Sequence, residues 1–120
     1  MIRRSVAASG TMSAVENIDI SALDALRREG QIELVDVRTD QEVSRGIIAG
    51  ARHIPLHVLP ARYEEIPRDR PVVFYCQSGA RSLQAGSFLA AKGWRRVYNL
   101  SGGLLAWLRS GLPVTQPEQS

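Results

Sequence analysis

A single cysteine, Cys76, occurs in the 120 residues of this chain. An intramolecular disulfide is therefore impossible, which excludes a disulfide-stapled secreted scaffold. Zinc and iron–sulfur sites that need several cysteines from one chain are excluded with it. No apolar run approaches the ~20 residues that a membrane span needs, so no membrane partner is expected. Lysine is almost missing: Lys92 stands alone among 15 basic residues, the rest being arginines. The arginines are scattered from Arg3 to Arg109. A nucleic-acid surface would gather its basic residues on one element and interleave aromatics, so no nucleic-acid partner is expected. Histidine is scarce too. His53 and His57 are four apart, but Pro55 lies between them and no acidic residue is in register. They read as surface or supporting residues, and no metal site is expected. The chain shows no internal repeat and no low-complexity segment.

What is present describes one ordinary globular domain. The chain is 44% hydrophobic and 22% charged, which argues against disorder. Its length suits a single domain, expected over residues 15–113. Residues 1–14 read as a disordered tail and 114–120 as a flexible one. The first segment carries Arg3 and Arg4 and no acid before Glu16. It faintly resembles a transit peptide but lacks the apolar stretch of a signal peptide. Translation from Met12 is an alternative start. Cytoplasm is the expected location, since a reactive thiol survives best in a reducing compartment. Export or an organelle is the alternative. The formal charge of +3 favours small anionic substrates over cationic ones.

From Ile18 onward, short apolar runs alternate with helical patterns. Ile18 to Ile20 reads as a short strand. Ser21 reads as an N-cap, with Asp24 at the capping-box position and Gly30 as the stop. Glu33 to Val37 reads as a buried strand. Thr39 and Glu42 form a second capping-box signal, for a short helix ending near Gly46. Gly46 to Pro55 reads as a loop with a short extended piece. Leu56 to Ile66 has helical character interrupted by Pro60. Pro71 to Tyr75 is the clearest strand, β-branched and aromatic. Residues 82–92 predict a helix closed by Gly93. Arg96 to Leu100 predicts a strand, and Gly103 to Ser110 a last helix with Gly111 as its cap. Strands and helices alternating over short connections imply an α/β fold: a small, mostly parallel central sheet flanked by helices on both faces. Sites in such sheets lie at the carboxyl ends of the strands.

Cys76 falls at such an end. It opens Cys76-Gln77-Ser78-Gly79-Ala80-Arg81-Ser82, between the clearest strand and the best helix. A lone cysteine is more often a buried core thiol. Here the buried strand would hold it rigidly. The small residues around Gly79 would let successive N–H groups turn inward as an anion nest. The following helix would add its positive end. All three effects favour a thiolate, the nucleophilic form.

The sequence resembles the rhodanese-homology family, in its small single-domain members. The loop CQSGAR matches the family's active loop, which begins with cysteine and carries a central glycine. Leu34-Val35-Asp36-Val37-Arg38, then Glu42, then Gly50-Ala51-Arg52-His53-Ile54-Pro55 resembles the family's N-terminal signature. Gly93-Trp94, Val97-Tyr98-Asn99-Leu100, Gly102-Gly103 and Ala106-Trp107 resemble its C-terminal one. The match spans about residues 15–113. One departure is Ile47, where the family often has histidine; it should affect packing more than chemistry.

The resemblance implies a rhodanese-like sandwich and a thiosulfate sulfurtransferase working through a persulfide on Cys76. Thiosulfate would be the small anionic donor, cyanide or a thiol the acceptor, and no metal or organic cofactor would be needed. The amides from Gln77 to Ser82 would stabilise the terminal sulfur. Arg81 would attract the anionic donor, or else be a solvated arginine on the first helical turn. Ser78 would donate to the sulfur, or be merely a small loop residue. Asp36 reads as structural, bonding loop amides, and Arg38 as a charge on the rim of the site. Trp94 and Trp107 read as packing residues.

Three other readings compete. One is a sulfur-relay carrier whose acceptor is another protein. Another is a non-catalytic binding module, which the intact Cys76 opposes. The third is a phosphatase or arsenate reductase of related fold. Those enzymes carry a loop one residue longer, whereas four residues separate Cys76 from Arg81 here. The shorter cradle suits a sulfur atom on the cysteine better than a tetrahedral oxyanion.

Overall fold

The computed structural model describes residues 14–117. The N-terminal tail expected over 1–14 lies outside the described residues, apart from Ala14, as do residues 118–120. Five strands form one parallel sheet: β1 (Val15–Ile18), β2 (Glu33–Asp36), β3 (Arg52–His53), β4 (Val72–Tyr75) and β5 (Val97–Leu100). Their spatial order is β1-β5-β4-β2-β3, with β4 in the centre. Four α-helices lie in the connections, α1 (Ile20–Glu29), α2 (Asp40–Val43), α3 (Leu59–Arg62) and α4 (Ala80–Ala91), and α5 (Gly103–Arg109) follows β5. The stretch read as a helix weakened by Pro60 is α3 between two 3₁₀ turns, Leu56–Val58 and Tyr63–Glu65. The proline sits in the first turn of α3, where its missing N–H has no partner to lose.

The alternation of side chains along β4 builds two cores. Val72, Phe74 and Cys76 point to one face, with Val35, Val97, Leu59, Ala85 and Leu89. Val73 and Tyr75 point to the other, with Leu23, Leu34, Leu100 and Leu104. Thus α3 and α4 cover one face and α1 and α5 the other. All four side chains of β4 are fully buried. Each such burial contributes ~1.5–3 kcal/mol, so β4 is anchored from both sides. Gly86 allows α4 to lie close to β1, since a Cβ there would stand 3.0 Å from Val15 Cγ1.

Several boundaries differ from the sequence reading. The first strand is Val15–Ile18, so Asp19, not Ser21, caps α1. The Asp19 carboxylate accepts from Ala22 N at 2.9 Å, leaving Ser21 inside the first turn. The helix expected from residue 82 starts at Ala80. The segment after Pro113 is docked where it is described. Thr115 and Ile47 exchange two backbone hydrogen bonds of 2.8 Å, and Trp107 Nε1 donates to Pro113 O. Among the described residues no helix is long and apolar enough to cross a membrane.

Candidate active site

The site is built on the carboxyl end of β4, the most enclosed strand. Cys76 follows β4 directly and is 1% exposed. Gly79 adopts φ +115°, a left-handed conformation that costs other residues strain. That turn sends the Gly79 N–H back to Cys76 Sγ at 3.1 Å. Ser82 N and Ser82 Oγ donate to the same sulfur at 3.4 and 3.3 Å. No side chain caps α4. Free N–H groups at the helix start face the sulfur instead, which is how a helix N-terminus holds an anion.

The other side of the loop is clamped by α5. Leu104 N donates to Cys76 O at 2.9 Å and Leu105 N to Gln77 O at 3.1 Å. This contact requires Gly103. Its φ is +55°, and a Cβ there would collide with Cys76 O and stand 2.8 Å from Gln77 C.

Two opposed effects set the acidity of Cys76. Burial pushes the thiol up. The Ser82 hydroxyl and amide, with the Gly79 and Ser78 amides, outweigh it and bring the pKa below the ordinary thiol value. The cradle therefore makes the thiolate easier to form than on a free cysteine.

The remaining residues singled out in the sequence have definite places. Asp36, at the end of β2, is fully buried and accepts from Arg38 N at 2.8 Å. Arg38 is 2% exposed; its Nε and Nη2 bond Asp36, and Nη2 also donates to Gly46 O at 2.7 Å. This pair braces the corner between β2 and Gly46, and the Arg38 charge is committed to it. Gln77 faces a cleft of about 430 Å³ shared with Arg38, Glu42 and Arg45. Arg81 lies in the first turn of α4, and its guanidinium is bonded to Glu42 through both terminal nitrogens. Ala80 is simply the first helical residue.

Sequence reasoning missed a polar chain beneath the sulfur. Ser82 Oγ lies 2.5 Å from Asn99 Oδ1. Asn99 Nδ2 donates to Asn17 Oδ1 at 2.9 Å and to Gly79 O at 3.2 Å. Asn99 is 3% exposed within apolar β5. A buried amide inside a strand is a signal that it serves a polar partner.

Cys76 thus follows the central strand with an amide cradle closed on its sulfur, an arrangement that can hold an anionic sulfur. Residues 19–110 match the family model of the rhodanese-like domain. The chain belongs to the rhodanese-like family. It is 48% identical over 105 residues to a sulfurtransferase of Allochromatium vinosum, covering 87% of this chain and 98% of that one. It is 32% identical over 98 residues to the thiosulfate sulfurtransferase GlpE of Vibrio cholerae, covering 82% and 92%. Among solved structures, a rhodanese-related protein of Thermoplasma volcanium superposes with a TM-score of 0.76 at 28% identity, covering 83% of this chain and 97% of that one. The rhodanese-like fold expected from the sequence, a small parallel sheet with helices on both faces, is the fold observed.

Proposed function

We propose that this rhodanese-like chain is a sulfurtransferase that takes sulfane sulfur from thiosulfate onto Cys76 and passes it to cyanide or a thiol. The observation that carries this reading is the cradle. Three hydrogen bonds from Gly79 and Ser82 converge on Cys76 Sγ, at 3.1, 3.4 and 3.3 Å. The names of the Allochromatium and Vibrio relatives support it.

In the first half-reaction the Cys76 thiolate attacks the outer sulfur of thiosulfate. The new Cys76 S–S bond forms as the bond to the sulfonate sulfur breaks, and sulfite leaves with the electron pair. The terminal sulfur of the persulfide carries the negative charge, which the N–H groups from Gln77 to Ser82 stabilise. In the second half-reaction cyanide carbon attacks that terminal sulfur. The S–S bond breaks, thiocyanate departs, and the Cys76 thiolate is restored. No proton, electron or cofactor is consumed.

Steady-state transfer from thiosulfate to cyanide tests the reading. Parallel double-reciprocal lines are expected, as for any covalent two-step exchange. Cys76→Ser should lower kcat by more than ~1,000-fold while keeping the wild-type melting curve. A folded Cys76→Ser variant with ordinary turnover would remove Cys76 from the mechanism.

A further inference from the structure

An arginine at the end of a loop around a thiolate would ordinarily be the hook for an anionic donor. In this chain it is already occupied. Arg81 Nη1 and Nη2 lie 2.8 and 2.9 Å from Glu42 Oε1 and Oε2, a fork-to-fork pair. Glu42 is itself held in place. Its Oε1 accepts from Thr39 N at 2.9 Å and Thr39 Oγ at 3.2 Å, as the reciprocal half of the α2 capping box. The Arg81 guanidinium holds the Glu42 carboxyl down to about 2, so it stays charged at every working pH. The two side chains are 36% and 32% exposed, so solvent screens them only in part. The second arginine near the loop, Arg38, is committed to Asp36 in the same way and is buried.

From these pairings we infer that Glu42 is a specificity-determining residue, which cancels the charge of Arg81 and so weakens the preference of the site for an anionic sulfur donor. The two guanidinium groups and two carboxylates paired beside the loop sum to zero, and Arg45, exposed on the rim of the Gln77 cleft, has no carboxylate partner among the described residues. The attraction for an incoming sulfur then comes from the N–H groups of the cradle and the start of α4. Thiosulfate gains no free guanidinium from Arg81 or Arg38, the arginines beside the loop, and meets only the exposed Arg45 on the rim of the cleft. The donor language rests on the function proposed above; the charge claim does not, because alkylation of Cys76 reads it without sulfur transfer.

The test compares iodoacetate, an anion, with neutral iodoacetamide. Rates are taken on the alkaline plateau, where only thiolate attack is compared. Their ratio reports the potential at Cys76 Sγ. Glu42→Gln keeps an oxygen for the Thr39 amide and removes one negative charge. It should raise the iodoacetate-to-iodoacetamide ratio ~3- to 10-fold at low ionic strength. Added salt should shrink that gain. Arg81→Ala should lower the ratio by a similar factor. The double variant restores the net charge and should return within about twofold of wild type. Glu42→Ala removes the same charge without keeping the cap and must also raise the ratio, so the claim survives if one of the variants folds poorly.

With thiosulfate, Glu42→Gln should lower KM and leave kcat nearly unchanged. A ratio that is unchanged or falls in both Glu42 variants would show that Glu42 only holds Arg81 in position, and would overturn the inference. If no sulfane donor ever loads wild-type Cys76, the sulfur-transfer reading fails, while the alkylation ratios still decide the charge claim.

Discussion

Ser82 has one hydroxyl proton and two partners for it. Its oxygen lies 3.3 Å from Cys76 Sγ and 2.5 Å from Asn99 Oδ1. The Asn99 amide is oriented by its two acceptors, Asn17 Oδ1 and Gly79 O, so its oxygen faces Ser82. The hydroxyl can therefore donate to Asn99 while the thiol is protonated, and turn to the sulfur when the thiolate forms. Ser82→Ala should raise the midpoint of the pH profile for iodoacetamide alkylation, because a donor to the charged form is lost. Asn99→Asp should raise it further, by placing a second anion near the thiolate. An unmoved midpoint in both variants would mean that backbone amides alone set the acidity. Cys76 itself was legible in the sequence, as a lone thiol between a buried strand and a Gly-containing loop. Asn99 was not, because its partner Asn17 lies 82 positions away on another strand. Glu42 was legible as a capping residue and as part of a family signature but not as the partner of Arg81, since the capping box is local and that pairing spans 39 positions.

Among the elements, α5 has a role beyond packing. Its first amides hold the carbonyls of Cys76 and Gln77, and only glycine fits at Gly103. Gly103→Ala should cost about 3 kcal/mol or more, through backbone collision and strain. It should also slow alkylation of Cys76, because the loop must shift. Gly111→Ala is the control. Its φ is +80°, but a Cβ there meets nothing within 4 Å, so the cost should be only ~1 kcal/mol. Chemical denaturation of the two variants checks the contrast. Equal losses would mean that α5 does not clamp the loop. The capping box of α2 was readable because it is a local exchange between Thr39 and Glu42. The start of α4 was misplaced by two residues because a sulfur, not a side-chain cap, receives its first amides. With only two residues, β3 is too short to show any periodicity.

For the molecule as a whole, the parallel α/β class was readable from alternating elements, but the strand order was not. Strands buried on both faces, such as β4, carry no polar alternation to mark a neighbour. Their order follows from how the connecting helices pack. Global stability should carry the signature of the Glu42–Arg81 pair. Glu42 titrates near 2 in the fold against an ordinary 4.5. A lowered carboxyl pKa stabilises the fold fully above the ordinary value and loses that contribution as pH falls through the folded one. Wild type should therefore exceed Glu42→Gln by less than ~1 kcal/mol at neutral pH, given the partial exposure of the pair. The margin should close as the pH falls from about 4.5 towards about 2, and urea melts over that range would show it. A margin independent of pH would assign the difference to packing. The central claim, a persulfide on Cys76, is tested most directly by the intact mass of the reduced protein before and after thiosulfate, with Cys76→Ser alongside. The account predicts a gain of one sulfur atom on wild type alone, reversed by cyanide. No gain on a thiol that alkylates readily, or the same gain on Cys76→Ser, would contradict it.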